Sequence, residues 1–211
     1  LPAYQTASGA ADIMMHTMER YFTPTDTDTS LTDRIAEGLM LSVRDAAQVA
    51  VKDPENYDAR ATLMWAGSLS HNDLTSAGRA FMMQGHQMEH ELSGMYPQIA
   101  HGAGLSALWP SWARYVCAAW PERFAQYAVR VWNLEMNFEN PMETALAGIK
   151  VTEDYFKSLN MPTNIRDLGV EPEKIDEMAE KCTNFGTRTL PGIRELGKAE
   201  MMEIYRMAME A

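Results

Sequence analysis

Cysteine is nearly absent from this chain, with Cys117 and Cys182 the only two. They lie far apart and in no CxxC spacing, which argues against a disulfide framework or a thiolate metal site. Both read as core or half-buried thiols of a protein kept in a reducing compartment. A basic surplus is also lacking: 18 Lys and Arg stand against 29 Asp and Glu, a formal net charge of -11. Phosphate binding needs the opposite balance, so nucleic acid is excluded as a partner and a small-molecule substrate fits better. No basic stretch followed by an apolar segment opens the chain, and no run reaches the roughly 18 apolar residues of a membrane span. The sequence therefore reads as soluble and cytoplasmic. No segment alternates like a strand.

What is there is helical punctuation. At 211 residues and 46% hydrophobic composition, one domain with a large core is expected over residues 1–211. Leu1 to Gly9 reads as a loop running into a helix, and with no initiator Met the chain reads as a piece of something longer. Helices are expected over Ala10–Tyr21, Leu31–Val51, Glu55–Leu69, Gly78–Met95, Leu105–Trp120, Glu122–Phe138, Pro141–Leu159, Glu171–Cys182 and Gly197–Met209. Pro54, Pro110, Pro121 and Pro141 are placed at or near helix starts, and Gly102 and Gly104 in a turn. Eight or nine helices without a strand define an all-α, multi-helix bundle-like fold. Seventeen Met read as flexible packing at helix interfaces rather than as a soft-metal surface. Trp65, Trp109, Trp112 and Tyr115 read as core rather than as the border of a substrate pocket.

The histidines are distributed unevenly: all five, His16, His71, His86, His90 and His101, lie in the first half. Asp12 and His16 are four residues apart, so on a helix both project from one face, close enough to share an ion. His86 and His90 repeat the spacing on a second helix. His101 heads His-Gly-Ala-Gly, whose glycines permit close backbone approach. One carboxylate with three or four imidazoles suits a divalent transition metal, Fe(II) or Zn(II) rather than Mg or Ca.

Two other metal readings compete. His86-Gln87-Met88-Glu89-His90 fits H-x-x-E-H, an inverted zinc-hydrolase signature with Glu89 as general base, but that reading leaves Asp12, His16 and His101 idle. A di-iron carboxylate bundle needs Glu-x-x-His, and here Glu89 adjoins His90.

The order Gly9-Ala10-Ala11-Asp12-Ile13-Met14-Met15-His16 with Glu19 and Tyr21, then Ser70-His71-Asn72, then His86 to Ser93, then His101-Gly102-Ala103-Gly104-Leu105, carries a resemblance. It is similar to the C-terminal domain of group III iron-containing alcohol dehydrogenases, near the NAD(P)H-dependent butanol dehydrogenase branch. The resemblance spans the chain but is most specific over its first 115 residues, and the segment from His90 to His101 is one residue longer than the family pattern. It implies a dehydroquinate synthase-like helical domain whose metal ligands are Asp12, His16, His86 and His101. His90 is then a non-ligand beside the nicotinamide and the candidate catalytic proton carrier, with His90 and His101 bordering the cofactor. It further implies an Fe(II) or Zn(II) ion and NAD(P)H as cofactors, an alcohol or aldehyde substrate, a homo-oligomer, and an N-terminal α/β nucleotide-binding domain that this chain lacks. A fragment of that kind is expected to be inactive alone and to expose an apolar patch near the metal cleft. A free-standing helical metal-binding module is the alternative. His71 is expected to make only a structural hydrogen bond.

Overall fold

Pro2 sits immediately before the first helix, where its fixed φ is already helical and its missing N–H is not needed. Its carbonyl accepts the Thr6 N–H at 3.0 Å, so α1 spans Ala3–Tyr21 and the expected opening loop is helix instead. The computed structural model describes residues 1–210. Helices α2 (Ser30–Lys52), α3 (Tyr57–His71), α4 (Gln84–Met95), α5 (His101–Val116), α6 (Pro121–Trp132), α7 (Pro141–Ser158), α8 (Ile175–Cys182) and α9 (Lys198–Glu210) follow. Among the described residues the only β feature is an isolated antiparallel bridge between Leu190 and Leu196, so the all-α expectation holds.

Several boundaries differ from the sequence reading, each for a local reason. Helix α3 starts at Tyr57 because Asn56 caps it, its side chain accepting the Ala59 N–H at 3.0 Å; Pro54 lies in the preceding turn. Of the stretch from Gly78 to Met95, only Gln84 onward is α-helical. Gly78 has φ +84°, and its carbonyl accepts hydroxyl hydrogens from Thr25 and Thr27 at 2.9 and 2.8 Å, which removes it from any helical ladder. Gly102 and Gly104 lie in the first turn of α5, not in a loop, and Pro110 lies inside that helix. Helix α6 stops at Trp132 because Asn133 takes a left-handed conformation, φ 56°, which asparagine tolerates better than most residues. Pro121 and Pro141 open α6 and α7 as expected.

Helix α5 is the axis of the core. Thirteen of its sixteen residues are buried, as a helix apolar on nearly every side requires, and α1, α4, α7 and α9 pack around it. Trp109 and Trp112 are buried there, and Phe22 stacks on Phe124 with centroids 4.2 Å apart. Met14, Met15, Met18, Met40 and Met88 are fully buried, in keeping with methionine as adaptable packing. Trp65 departs from the expectation: it is 65% exposed, because α3 buries only Ala59, Ala66 and Ser70. Tyr115 is half-buried, with the Arg194 guanidinium 4.5 Å from its ring centroid. Cys117 and Cys182 are buried free thiols, and burial pushes the Cys182 thiol up to about 12.

A buried ion cluster fixes α2, α6 and the loop after α3. Arg123 donates to both Asp33 oxygens at 2.6 Å and to the Tyr21 carbonyl at 2.7 Å, and Arg79 pairs with the same carboxylate. No helix among the described residues is long and apolar enough to cross a membrane.

Candidate metal centre

Four helices bring imidazoles to one carboxylate. Asp12 and His16 occupy successive turns of α1, His71 ends α3, His86 lies in the first turn of α4, and His101 begins α5. Asp12 Oδ1 lies 3.4 Å from His86 Nε2, 3.5 Å from His101 Nε2 and 3.7 Å from His16 Nε2. The other oxygen, Oδ2, lies 3.8 Å from His71 Nε2.

Glycines make this convergence sterically feasible. A Cβ on Gly102 would run into the Ser8 carbonyl of α1, so glycine lets α5 lie directly against α1 and places His101 beside Asp12. A Cβ on Gly85 would stand 2.8 Å from Glu19 Oε1, and one on Gly104 would collide with the Glu89 carboxylate. The His-Gly-Ala-Gly run therefore serves close approach, as its sequence suggests, but of helix against helix.

The remaining ring nitrogens face outward onto partners. His86 Nδ1 pairs with Glu19, which also accepts the Gly85 N–H and, at 3.3 Å, the His86 N–H. His101 Nδ1 pairs with Glu89. His71 Nδ1 lies 2.9 Å from the Gly67 carbonyl and 2.8 Å from Ser70 Oγ, local contacts at the end of its own helix, while its Nε2 faces Asp12. His16 Nδ1 lies 3.1 Å from Arg20 Nη1, but the two hydrogens of that nitrogen are accounted for by the carbonyls of Ser70 at 2.6 Å and His16 at 3.1 Å, so His16 Nδ1 has no acceptor of its own.

Electrostatics separate the donors. Burial, reinforced by the charge of neighbouring His86, pushes His16 down to about 3, so it is neutral at ordinary pH. Burial acts the same way on His86, but Asp12 and Glu19 outweigh it and raise His86 to about 9. Burial would raise Asp12; contact with His86 and the charges of His16 and His101 hold it below the usual carboxylate range. Burial raises Glu89.

The arrangement fits a cation. Asp12 Oδ1 and His86 Nε2 are buried with no hydrogen-bond partner, a costly condition that a shared ion would relieve. The donor set, one carboxylate oxygen and several imidazole nitrogens, is that of Fe or Zn sites. His90 stands apart: exposed on α4, its ring centroid is 6.3 Å from His86 and 5.4 Å from His101. Partial burial and those two neighbours lower it, so it too is neutral at pH 7.

Sequence reading missed the orientation of His71 toward Asp12 and the engagement of Glu19 and Glu89. A signal existed, since each Glu falls three residues after a candidate ligand, at His16 and His86, on a helix. An apolar groove between α1 and α3, lined by Leu1, Gly9, Ala10, Ile13, Leu63 and Met64, begins one residue from Asp12.

The family model described as Fe-containing alcohol dehydrogenase family, C-terminal, matches residues 6–209. NADH-dependent butanol dehydrogenase B of Clostridium acetobutylicum is 38% identical over 211 residues, 99% of this chain and 53% of that protein. The NADPH-dependent aldehyde reductase YqhD of Escherichia coli is 32% identical over 215 residues, again 99% and 53%. Among solved structures, the substrate- and cofactor-free form of YqhD superposes with a TM-score of 0.90 at 32% identity, covering 99% of this chain and 54% of that one. NADH-dependent butanol dehydrogenase A of Thermotoga maritima does so with 0.90 at 29% identity, covering 99% and 53%. The chain thus spans about half the length of the curated relatives it matches. With its helical order, its Asp12-centred histidines and a family match across nearly every residue, this chain belongs to the iron-containing alcohol dehydrogenase family, as the C-terminal part of it.

Proposed function

We propose that this chain is the metal-carrying domain of an NAD(P)-dependent alcohol dehydrogenase or aldehyde reductase, with Asp12, His16, His86 and His101 as the ligands of one Fe(II), or alternatively Zn(II), ion. The observation that carries the reading is the convergence of three Nε2 atoms on the partnerless Asp12 Oδ1. A bound ion supplies a Lewis acid for the alcohol or aldehyde oxygen while hydride moves to or from the nicotinamide. His90, exposed and neutral near pH 7, takes or returns the substrate proton from its place one turn along α4. With His101 it borders the nicotinamide.

Residues 1–211 act here as one domain that works with a nucleotide-binding half, NADH or NADPH being chosen by that half. Alone the chain binds metal but turns over no substrate; in the whole protein the apolar groove beside α3 is covered by that half or by a second copy in a homo-oligomer. The H-x-x-E-H hydrolase reading is disfavoured because Glu89 is 0% exposed and paired with His101, out of reach of a hydrolytic water. The test is elemental analysis of the chain after Fe(II) or Zn(II) loading, for wild type, His16→Ala, His101→Ala and His90→Ala. About one ion per chain, lost in the first two variants and kept in the third, is expected. Loss with His90→Ala alone would return the hydrolase motif.

A further inference from the structure

We infer that Glu19 and Glu89 are positioning residues of the metal centre: each receives the Nδ1 hydrogen of one histidine, His86 and His101 respectively, and so presents that histidine's Nε2 to the ion. The inference rests on the metal-binding reading above. A neutral imidazole carries one hydrogen, and whichever nitrogen holds it cannot ligate. An acceptor fixed at Nδ1 therefore decides both the tautomer and the ring orientation.

Both carboxylates are placed at a cost that packing does not explain. Glu19 is 3% and Glu89 0% exposed, and neither forms an ion pair with Lys or Arg among the described residues. Burying a carboxylate is unfavourable unless it is well paired. Glu89 has only His101, with Ser93 Oγ at 3.4 Å, while its Oε1 has no partner at all. Gly85 and Gly104 leave the room that these side chains fill, since a Cβ at either position would meet them.

The two contacts also form a sequence between elements. Glu19, on the helix that carries Asp12 and His16, holds His86 of α4; Glu89, on the helix that carries His86, holds His101 of α5. Each carboxylate thus ties one ligand-bearing helix to the next. His16 has no such partner, its Nδ1 facing Arg20.

The test uses Co(II) as a spectroscopic probe on the purified chain, with affinity measured by chelator competition, for wild type, Glu89→Ala, Glu89→Gln and Glu19→Gln. Glu89→Ala is expected to weaken Co(II) binding about 10- to 100-fold and to alter the visible Co(II) bands, with one ion per chain at saturation. Glu89→Gln retains an acceptor oxygen and is expected to recover part of that loss; Glu19→Gln should resemble it. Folded Glu89 variants with wild-type affinity and an unchanged spectrum would overturn the inference. If Glu89→Ala fails to fold, the two Gln variants decide by the same readouts. A wild-type chain that takes up no Co(II) would overturn the metal reading itself, and this inference with it.

Discussion

The α-carbon of Gly102 lies against the carbonyl oxygen of Ser8, with no room between α5 and α1 for even one methyl group. Gly102→Ala is therefore expected to destabilise the chain by about 1–3 kcal/mol through overpacking, and to weaken metal uptake by moving His101 away from Asp12. The contrast is Gly38→Ala in α2, where a Cβ meets nothing within 4 Å. Relief of unfolded-chain entropy should stabilise that variant by about 0.4–1 kcal/mol. Thermal melts of both variants check the opposite signs.

Asp33 is held below the usual carboxylate range: burial would raise it, but the Arg123 and Arg79 guanidinium groups outweigh burial. A depressed folded-state value means that this stabilisation is present above the unfolded pKa, about 3.9, and lost as pH falls through the lower folded value. Asp33→Asn leaves two buried guanidinium groups unpaired and should cost about 3–5 kcal/mol at pH 7. Urea unfolding of wild type and variant should show that gap narrowing once the pH drops below about 4. A constant gap down to pH 2 would contradict it.

His86 is raised to about 9 whereas His16 is lowered to about 3, so at pH 7 the first holds a proton that a metal must displace. Metal binding should release about one proton from His86 at pH 7, and progressively fewer as the pH rises through 9, with apparent affinity growing over the same range. Calorimetry in buffers of differing ionisation enthalpy reads this directly. Zero proton release at pH 7 would contradict the assignment.

Trp65 is 65% exposed while Trp109 and Trp112 are buried. Acrylamide quenching should fall markedly in Trp65→Phe and stay near wild type in Trp109→Phe, without loss of bound metal in the Trp65 variant. If a second copy or another partner covers α3 in solution, quenching of wild type will instead fall as protein concentration is raised.

The sequence by itself determined the helical class, the absence of a strand ladder, and the placing of Asp12 and His16 on one helical face. Those properties are local: apolar spacing, proline at N1, and the four-residue repeat act within a single turn or two. The family motifs likewise singled out His86 and His101 on the strength of residue order. What only the tertiary structure decided is which groups face one another across helices. The three-residue spacing put Glu19 and Glu89 on the same helical faces as His16 and His86, but periodicity carries no information about a neighbouring helix, so their pairing across helices with His86 and His101, and the turn of His71 toward Asp12, were not legible. Gly102 and Gly104 illustrate the same division. Their composition signals freedom of the backbone, read along the chain as a turn, but the packed helices use that freedom for contact with Ser8 and Glu89, and no local rule distinguishes the two uses.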